Sequence, residues 1–440
     1  MMAFMNDQDT KDAGDAVASP SPENSTWLSK LGPGLITGAA DDDPSGIATY
    51  SQGGAQFGFN LLWTLLLTYP LMAAIQVISA HIGRVTGRGL ATNLQRFAPR
   101  HVVWAIVGLL LVANVINIAA DVAAMGEAMA LVLPGRPHWY AVGFGVLSVL
   151  LQVFIPYQRY VNLLKWLTLV LLAYVATVFV VQVPWSEVLK STVWPRIAWN
   201  RDYLTTIVAV FGTTISPYLF FWQASQEVEE LRADDDARPL RHAPEQVARQ
   251  FSRIRFDTLV GMAVSNGVAF FIMLTTAATL HAEGVRDLQS AAQAASALKP
   301  VAGELAFALF ALGIVGTGLL AIPVLAGSAA YAMAGTFHWK SSLGSEFSAA
   351  RKFYAIIIVA TLAGVGVNFM PLDPIKALYW SAVLNGVIAV PVMTIMMLVA
   401  SSARIMGDLT IAPRLRALGW LCTGVMAAAT AAMFASFLGA

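Results

Sequence analysis

Cysteine is almost missing: Cys422 is the only one in 440 residues. A disulfide framework and a cysteine-based metal site are therefore excluded, and Cys422 reads as a small apolar residue on a lipid-facing helix. Charge is scarce too. Only 12% of residues are Asp, Glu, Lys or Arg, and the net charge is +1. That is too little for a soluble enzyme and gives no basic excess for nucleic acid. The six histidines avoid the middles of the apolar stretches, with His81 and His281 at their ends. HExxH, GxSxG and a Walker loop are absent, so protease, esterase and ATPase readings lack their signatures. Residues 1–30 are polar and carry no positively charged lead into an apolar core, so they read as a disordered tail and not as a signal peptide.

Apolar residues are abundant, at 57%. Eleven stretches reach the roughly 20 residues that a membrane helix needs: 32–57, 58–82, 102–132, 138–156, 160–183, 203–231, 256–281, 300–335, 353–371, 374–401 and 415–438. The second and eighth can be cut differently, giving ten to twelve. With the N-terminus in the cytoplasm, 20 of the 27 Lys and Arg fall on the inner side, as the positive-inside rule expects. The chain reads as an all-α polytopic membrane protein of one transmembrane domain, 31–440. The most hydrophilic connection, Glu227–Arg255, reads as a solvated loop with charged helix ends.

The first stretch organises the rest. GPGLITGAADDDPSGIATYSQGGAQFG begins as an apolar helix, meets Asp41, Asp42 and Asp43, and resumes after Pro44, Ser45 and Gly46. A carboxylate in mid-membrane is costly and is read as functional. Pro44 cannot donate to the helix and Gly46 tolerates non-helical angles, so the two together are expected to break it. A broken helix frees carbonyls, here around Ala40, beside carboxylate oxygens, which is how secondary transporters build cation sites.

The sixth stretch carries a matching interruption: Gly212, Thr213, Thr214, Ser216 and Pro217 cut the apolar run VAVFGTTISPYLFFWQASQ. Five spans separate the two breaks, so the second half runs inverted to the first, with repeats at 32–183 and 203–401 and an extra helix at 415–438. Paired interruptions point to a transporter's site. In the third stretch Asn114, Asn117 and Asp121 share one helical face. Asp121 suits an ion path, whereas the asparagines serve equally as packing glue. Ser381 and Asn385 sit four apart in the tenth stretch, and Gly313–Gly318 (GIVGTG) permits close helix approach. The central candidates, Asp42, Asp43, Thr213, Thr214, Ser216 and backbone carbonyls, offer only oxygen. Oxygen sites suit hard cations such as magnesium, calcium and manganese.

GPGLITGAADDDPSGIATYSQGGAQFGFNLLW resembles the first helix of the Nramp divalent metal transporters, whose hallmark is Asp-Pro-Gly-Asn. FGTTISPYLFF resembles their sixth, which ends in Met-Pro-His; DPIKAL at Asp373–Leu378 and the pair Ala120–Asp121 also have counterparts. The resemblance runs from Gly32 to about Ile411. It implies a LeuT-type fold of two inverted five-helix repeats plus an eleventh helix, and import of manganese or ferrous iron with protons.

Departures concentrate in the site. Asp43 matches the metal-binding aspartate, but the family's asparagine is Gly46, its preceding glycine is Ser45, its methionine is Ser216 and its histidine is Tyr218. Asp121 matches the proton-pathway aspartate, yet its acidic partner is Ala124, and the tenth-helix glutamine falls at Ala382. Losing the thioether removes discrimination against hard ions. Smaller side chains leave room for the water that magnesium keeps. The chain therefore looks like a branch of Nramp-related magnesium transporters. The expected function is transport of a divalent cation, magnesium and also manganese, without cofactor and without proton coupling. The site is expected at Asp43, Asp42, Ala40, Gly46, Thr213, Thr214 and Ser216, with a path through Asp121, Asn117, Asn385 and Tyr218. The expected setting is the bacterial inner membrane, as a monomer. The alternatives are a proton-coupled manganese or iron importer and, farther off, a LeuT-fold symporter for an organic solute.

Overall fold

The computed structural model describes residues 33–155, 167–234, 236–343, 347–370 and 373–438. The expected tail, 1–30, and the start of the fifth stretch lie outside them. Among the described residues all regular structure is helical. Eight helical segments among the described residues are long and apolar enough to cross a membrane, nine if the pair Leu167–Val180 and Trp185–Val193, bent by 120°, is one span. The expected first stretch divides into two short helices, one of which runs on, past a turn, into the second stretch. The ninth, at 17 residues, falls just short in length.

Both breaks lie where proline puts them. α1 (Pro33–Asp41) stops before Asp42, and α2 (Pro44–Phe57) starts on Pro44. Pro44 has no N–H, so the Ala40 carbonyl has no helical donor four residues on. Asp43 is extended (φ −74°, ψ 169°), and its Oδ1 accepts the Gly46 amide at 2.7 Å, capping α2. Gly46 is therefore helical, in the first turn of α2. This corrects its expected part in the break: Pro44 and the Asp43 cap suffice. What Gly46 provides is room, since a Cβ there would stand 3.1 Å from Thr213 Oγ1.

After the turn at Gly58 (φ 60°), where the left-handed angle favours glycine, comes α3 (Leu62–Thr86). The short α4 (Leu90–Phe97), the long α5 (Arg100–Ala130) and α6 (Pro137–Phe154) follow. α7 (Leu172–Val180) and α8 (Trp185–Val193) form the bent pair.

The second half repeats the opening. α9 (Arg201–Thr214) ends before Ile215 and Ser216, and α10 (Pro217–Ala233) starts on Pro217. Here the Thr213 carbonyl loses its helical donor. Ser216 Oγ takes its place, lying 2.8 Å from the Thr213 carbonyl and 2.9 Å from the Gly212 carbonyl, with one proton for the two. Then come α11 (Val247–Thr276), α12 (Ala306–Phe337), α13 (Arg351–Val367), α14 (Pro374–Ala400) and α15 (Pro413–Leu438).

The broken helices occupy the centre. The apolar window within Arg201–Ala233 is wholly buried, whereas those of α6 and α15 are 22% buried and face outward. Small residues bring backbones together around the breaks. A Cβ at Gly38 would strike the Gly261 backbone of α11, one at Gly83 the Ala224 carbonyl, and one at Gly212 the Ala382 carbonyl of α14.

Cys422 lies on the mostly outward-facing α15, as expected, with its own thiol turned inward, fully buried and 3.8 Å from Met393 Sδ of α14. One further expectation is corrected: the Glu227–Arg255 segment is not simply solvated. α10 extends to Ala233, and the fully buried Glu227 accepts from Arg253 at 2.6 Å, with Glu230 2.9 Å from the same guanidinium and 3.9 Å from Arg84. A buried carboxylate must be paired to be tolerated; Glu227 ties α10 to α11, and Glu230 adds α3 through Arg84.

Candidate ion site between the two broken helices

Asp43 stands where α2 meets α10. Its Oδ1 is held by the Gly46 amide, and its Oδ2 accepts from Tyr218 Oη at 3.1 Å. Tyr218 is in the first turn of α10, so each break sends a group toward the other. Asp43 is 1% exposed and Asp121 fully buried. Asp121, on α5, lies against the Ser45 backbone amide and interacts electrostatically with Asp43. Neither of its carboxylate oxygens makes a hydrogen bond of acceptable geometry.

The remaining candidates divide. Thr213 Oγ1 faces the first turn of α2, close to Gly46, and belongs beside Asp43. Thr214 Oγ1 donates to the Val210 carbonyl at 2.9 Å, inside its own helix. The Ser216 proton is likewise committed to α9, which leaves its lone pairs available. Ala40 contributes an undonated carbonyl at the end of α1. Asp42 turns instead toward α11, where its Oδ1 accepts from Ser265 Oγ at 3.2 Å.

Asn117 donates to Asn385 Oδ1 at 3.1 Å, joining α5 to α14. Asn114 is packing glue: its amide donates to the Leu325 carbonyl and to Ser328 Oγ, each at 2.8 Å. Ser381 donates to the Leu378 carbonyl in its own helix. Gly318 of GIVGTG lets α12 approach Pro44 and Met125, the close-packing role expected of that motif.

Four residues escape the sequence reading. Asp257 of α11 accepts the Gly34 amide at 2.6 Å and so anchors the start of α1. Gln223 accepts from Thr37. Ser265 and Tyr50 border the carboxylates. Each acts across more than 150 residues or from an unremarkable position in an apolar run, where spacing carries no signal.

Among the described residues no three His, Cys, Asp or Glu side chains converge as a metal-holding group. An ion at Asp43 would therefore have at most one further carboxylate beside it and would draw the rest of its shell from neutral oxygens and water. Carboxylate, hydroxyl, phenol and carbonyl are hard donors, suited to cations of that kind.

The family model for Nramp, described as natural resistance-associated macrophage protein-like, matches residues 34–436. The chain belongs to the Nramp family. Among Nramp relatives, the divalent metal cation transporter MntH of Klebsiella pneumoniae is 27% identical over 407 residues, covering 91% of this chain and 92% of its own. MntH of Chromohalobacter salexigens is 26% identical over 465 residues, covering 100% and 99%. A crystal structure of the Eremococcus coleocola manganese transporter superposes with a TM-score of 0.69 at 19% identity, over 96% of this chain and 91% of that one. Mhp1, a nucleobase-cation-symport-1 family transporter, reaches 0.59 at 14% identity, over 93% and 90%. The fold is the LeuT type, with broken helices 1 and 6. Nramp membership makes this chain a multi-pass membrane transporter and not an enzyme.

Proposed function

We propose that this Nramp chain moves divalent cations across the membrane by alternating access, prefers magnesium to manganese, and carries no protons with them. The observation behind this is the site itself: Asp43 between two broken helices, surrounded by oxygen. The relatives named divalent metal cation transporters support the cargo class. The preference rests on Ser216 and Gly46, which replace the family's methionine and asparagine. Magnesium binds through one or two carboxylates and keeps several waters, and small side chains leave space for them. Asp43, Thr213 and the Ala40 and Thr213 carbonyls would face the ion, with Ser216 lone pairs beside them. We place the chain in the plasma membrane as a monomer with a cytoplasmic N-terminus, its repeats at about 32–183 and 203–401.

Proton-coupled manganese import is the second reading. Asp121 favours it, being a buried carboxylate beside Asp43 and Ser45. Against it stand Ala124, where that path expects an acid, and Tyr218, which replaces a group that titrates near neutral pH.

Ser216→Met tests the preference. Sulfur serves magnesium poorly and manganese acceptably, and the longer side chain displaces water. One ligand contact to a charged group is of order 1–3 kcal/mol, and about 1.4 kcal/mol is tenfold. The manganese-to-magnesium uptake ratio in proteoliposomes should therefore rise about ten- to a hundredfold. Adding Gly46→Asn raises it further only if Thr213 yields. An unchanged ratio would place selectivity in hydration and pore width.

A further inference from the structure

The three consecutive carboxylates do not share one environment. Asp43 turns to α2 and α10. Asp41 and Asp42 turn to α11, where a single hydroxyl, Ser265 Oγ, lies 2.6 Å from Asp41 Oδ2 and 3.2 Å from Asp42 Oδ1. A hydroxyl has one proton and donates to one acceptor at a time. Asp41 Oδ1 is buried with no hydrogen-bond partner. The ion pairs among the described residues use Arg84, Arg232, Arg253 and Lys376, and none reaches this cluster.

A second observation points the same way. Tyr50, fully buried on α2, has a hydroxyl with no hydrogen-bond partner of acceptable geometry. That hydroxyl stands beside Thr213 and within electrostatic reach of Asp41, Asp42 and Asp43. Ionised carboxylates cannot donate to its lone pairs. Two buried carboxylates with one shared donor and no basic side chain are costly to keep ionised unless a cation or a proton supplies the missing positive charge.

From this geometry we infer that Asp41, Asp42 and Ser265, with the Tyr50 phenol, form a second position for a divalent cation, beside the one at Asp43. Two carboxylates and neutral oxygens, with waters filling the shell, meet what magnesium requires. Tyr50 borders both positions, so two ions there repel each other, and the arrival of one favours the departure of the other, as in multi-site conduction. This inference rests on the divalent-cation reading above.

The test is magnesium titration calorimetry on the purified full-length chain, with no other divalent ion present. Wild type should bind two equivalents. Asp41→Asn should bind one, and Asp43→Asn should also bind one. Ser265→Ala, which removes only a hydroxyl, should weaken one of the two events about tenfold and leave the other unchanged; it decides the matter if Asp41→Asn fails to give a single folded species. One equivalent in wild type, kept in Asp41→Asn and lost in Asp43→Asn, overturns the second position and leaves the transport reading standing. No binding in wild type overturns both.

Discussion

Asp43→Asn should reduce magnesium uptake to background while the protein still purifies as a single folded species. Asparagine keeps the cap, because its side-chain oxygen accepts the Gly46 amide as the carboxylate does, and Asn and Asp are about equal at that position. It removes the charge. Its hydrogen-bond partners, the Gly46 amide and the Tyr218 hydroxyl, are neutral, so neither replaces the lost charge. At about 1.4 kcal/mol per decade, losing a buried charged ligand worth several kcal/mol corresponds to at least about a hundredfold. Asp43→Ala should be equally inactive and also less stable, by about 1 kcal/mol for the lost cap. Proteoliposome uptake and thermal unfolding, measured on both variants, separate the two roles. Undiminished uptake in Asp43→Asn would move the site to Asp42 or Asp41.

The second large effect concerns how the break is held. Gly212 is in the last turns of α9, pressed on α14. A Cβ there would meet the Ala382 carbonyl and stand 2.8 Å from Gly386 Cα, while a Cβ on Gly386 would stand 2.6 Å from the Val208 carbonyl. Backbone opposes backbone on both sides, so no rotamer change relieves the clash. Overpacking costs typically about 1–3 kcal/mol and occasionally more, and this contact belongs at the upper end. Gly212→Val should lower the Tm sharply and abolish uptake, because Thr213 and Ser216 move with the helix end. Gly108→Val on α5, with open space around the added atoms, should change neither by much. Equal stability of the two variants would show that α9 and α14 are not in close contact.

Much of this architecture is legible in the sequence, and the reason is local. Pro44 and Pro217 each delete one helical donor, so the breaks fall where the residues say. Asp43 and Asp121 stand out because carboxylates are rare in apolar stretches. The partners do not. Ser265 is one of five hydroxyl residues in α11, more than 200 residues from the carboxylates it meets, and Tyr50 reads as one more aromatic residue. Gly46 shows the limit from the other side. Glycine after proline suggests an irregular backbone, yet the cap on Asp43 keeps it helical, and its value lies in the room it gives Thr213. Glu227 misleads for a related reason. Composition says what a residue tolerates, but only the packing of α11 on α10 decides which side it faces.

The central claim is divalent cation flux without protons, and simultaneous recording of both fluxes tests it most directly. Proteoliposomes containing the full-length chain, a magnesium indicator and a pH-sensitive dye are given an inward magnesium gradient at equal internal and external pH. The prediction is magnesium entry with internal pH unchanged, and a rate that a pH gradient of either sign leaves unaltered. Acidification that tracks metal entry, and disappears in Asp121→Asn, would contradict it and establish Asp121 as a proton relay.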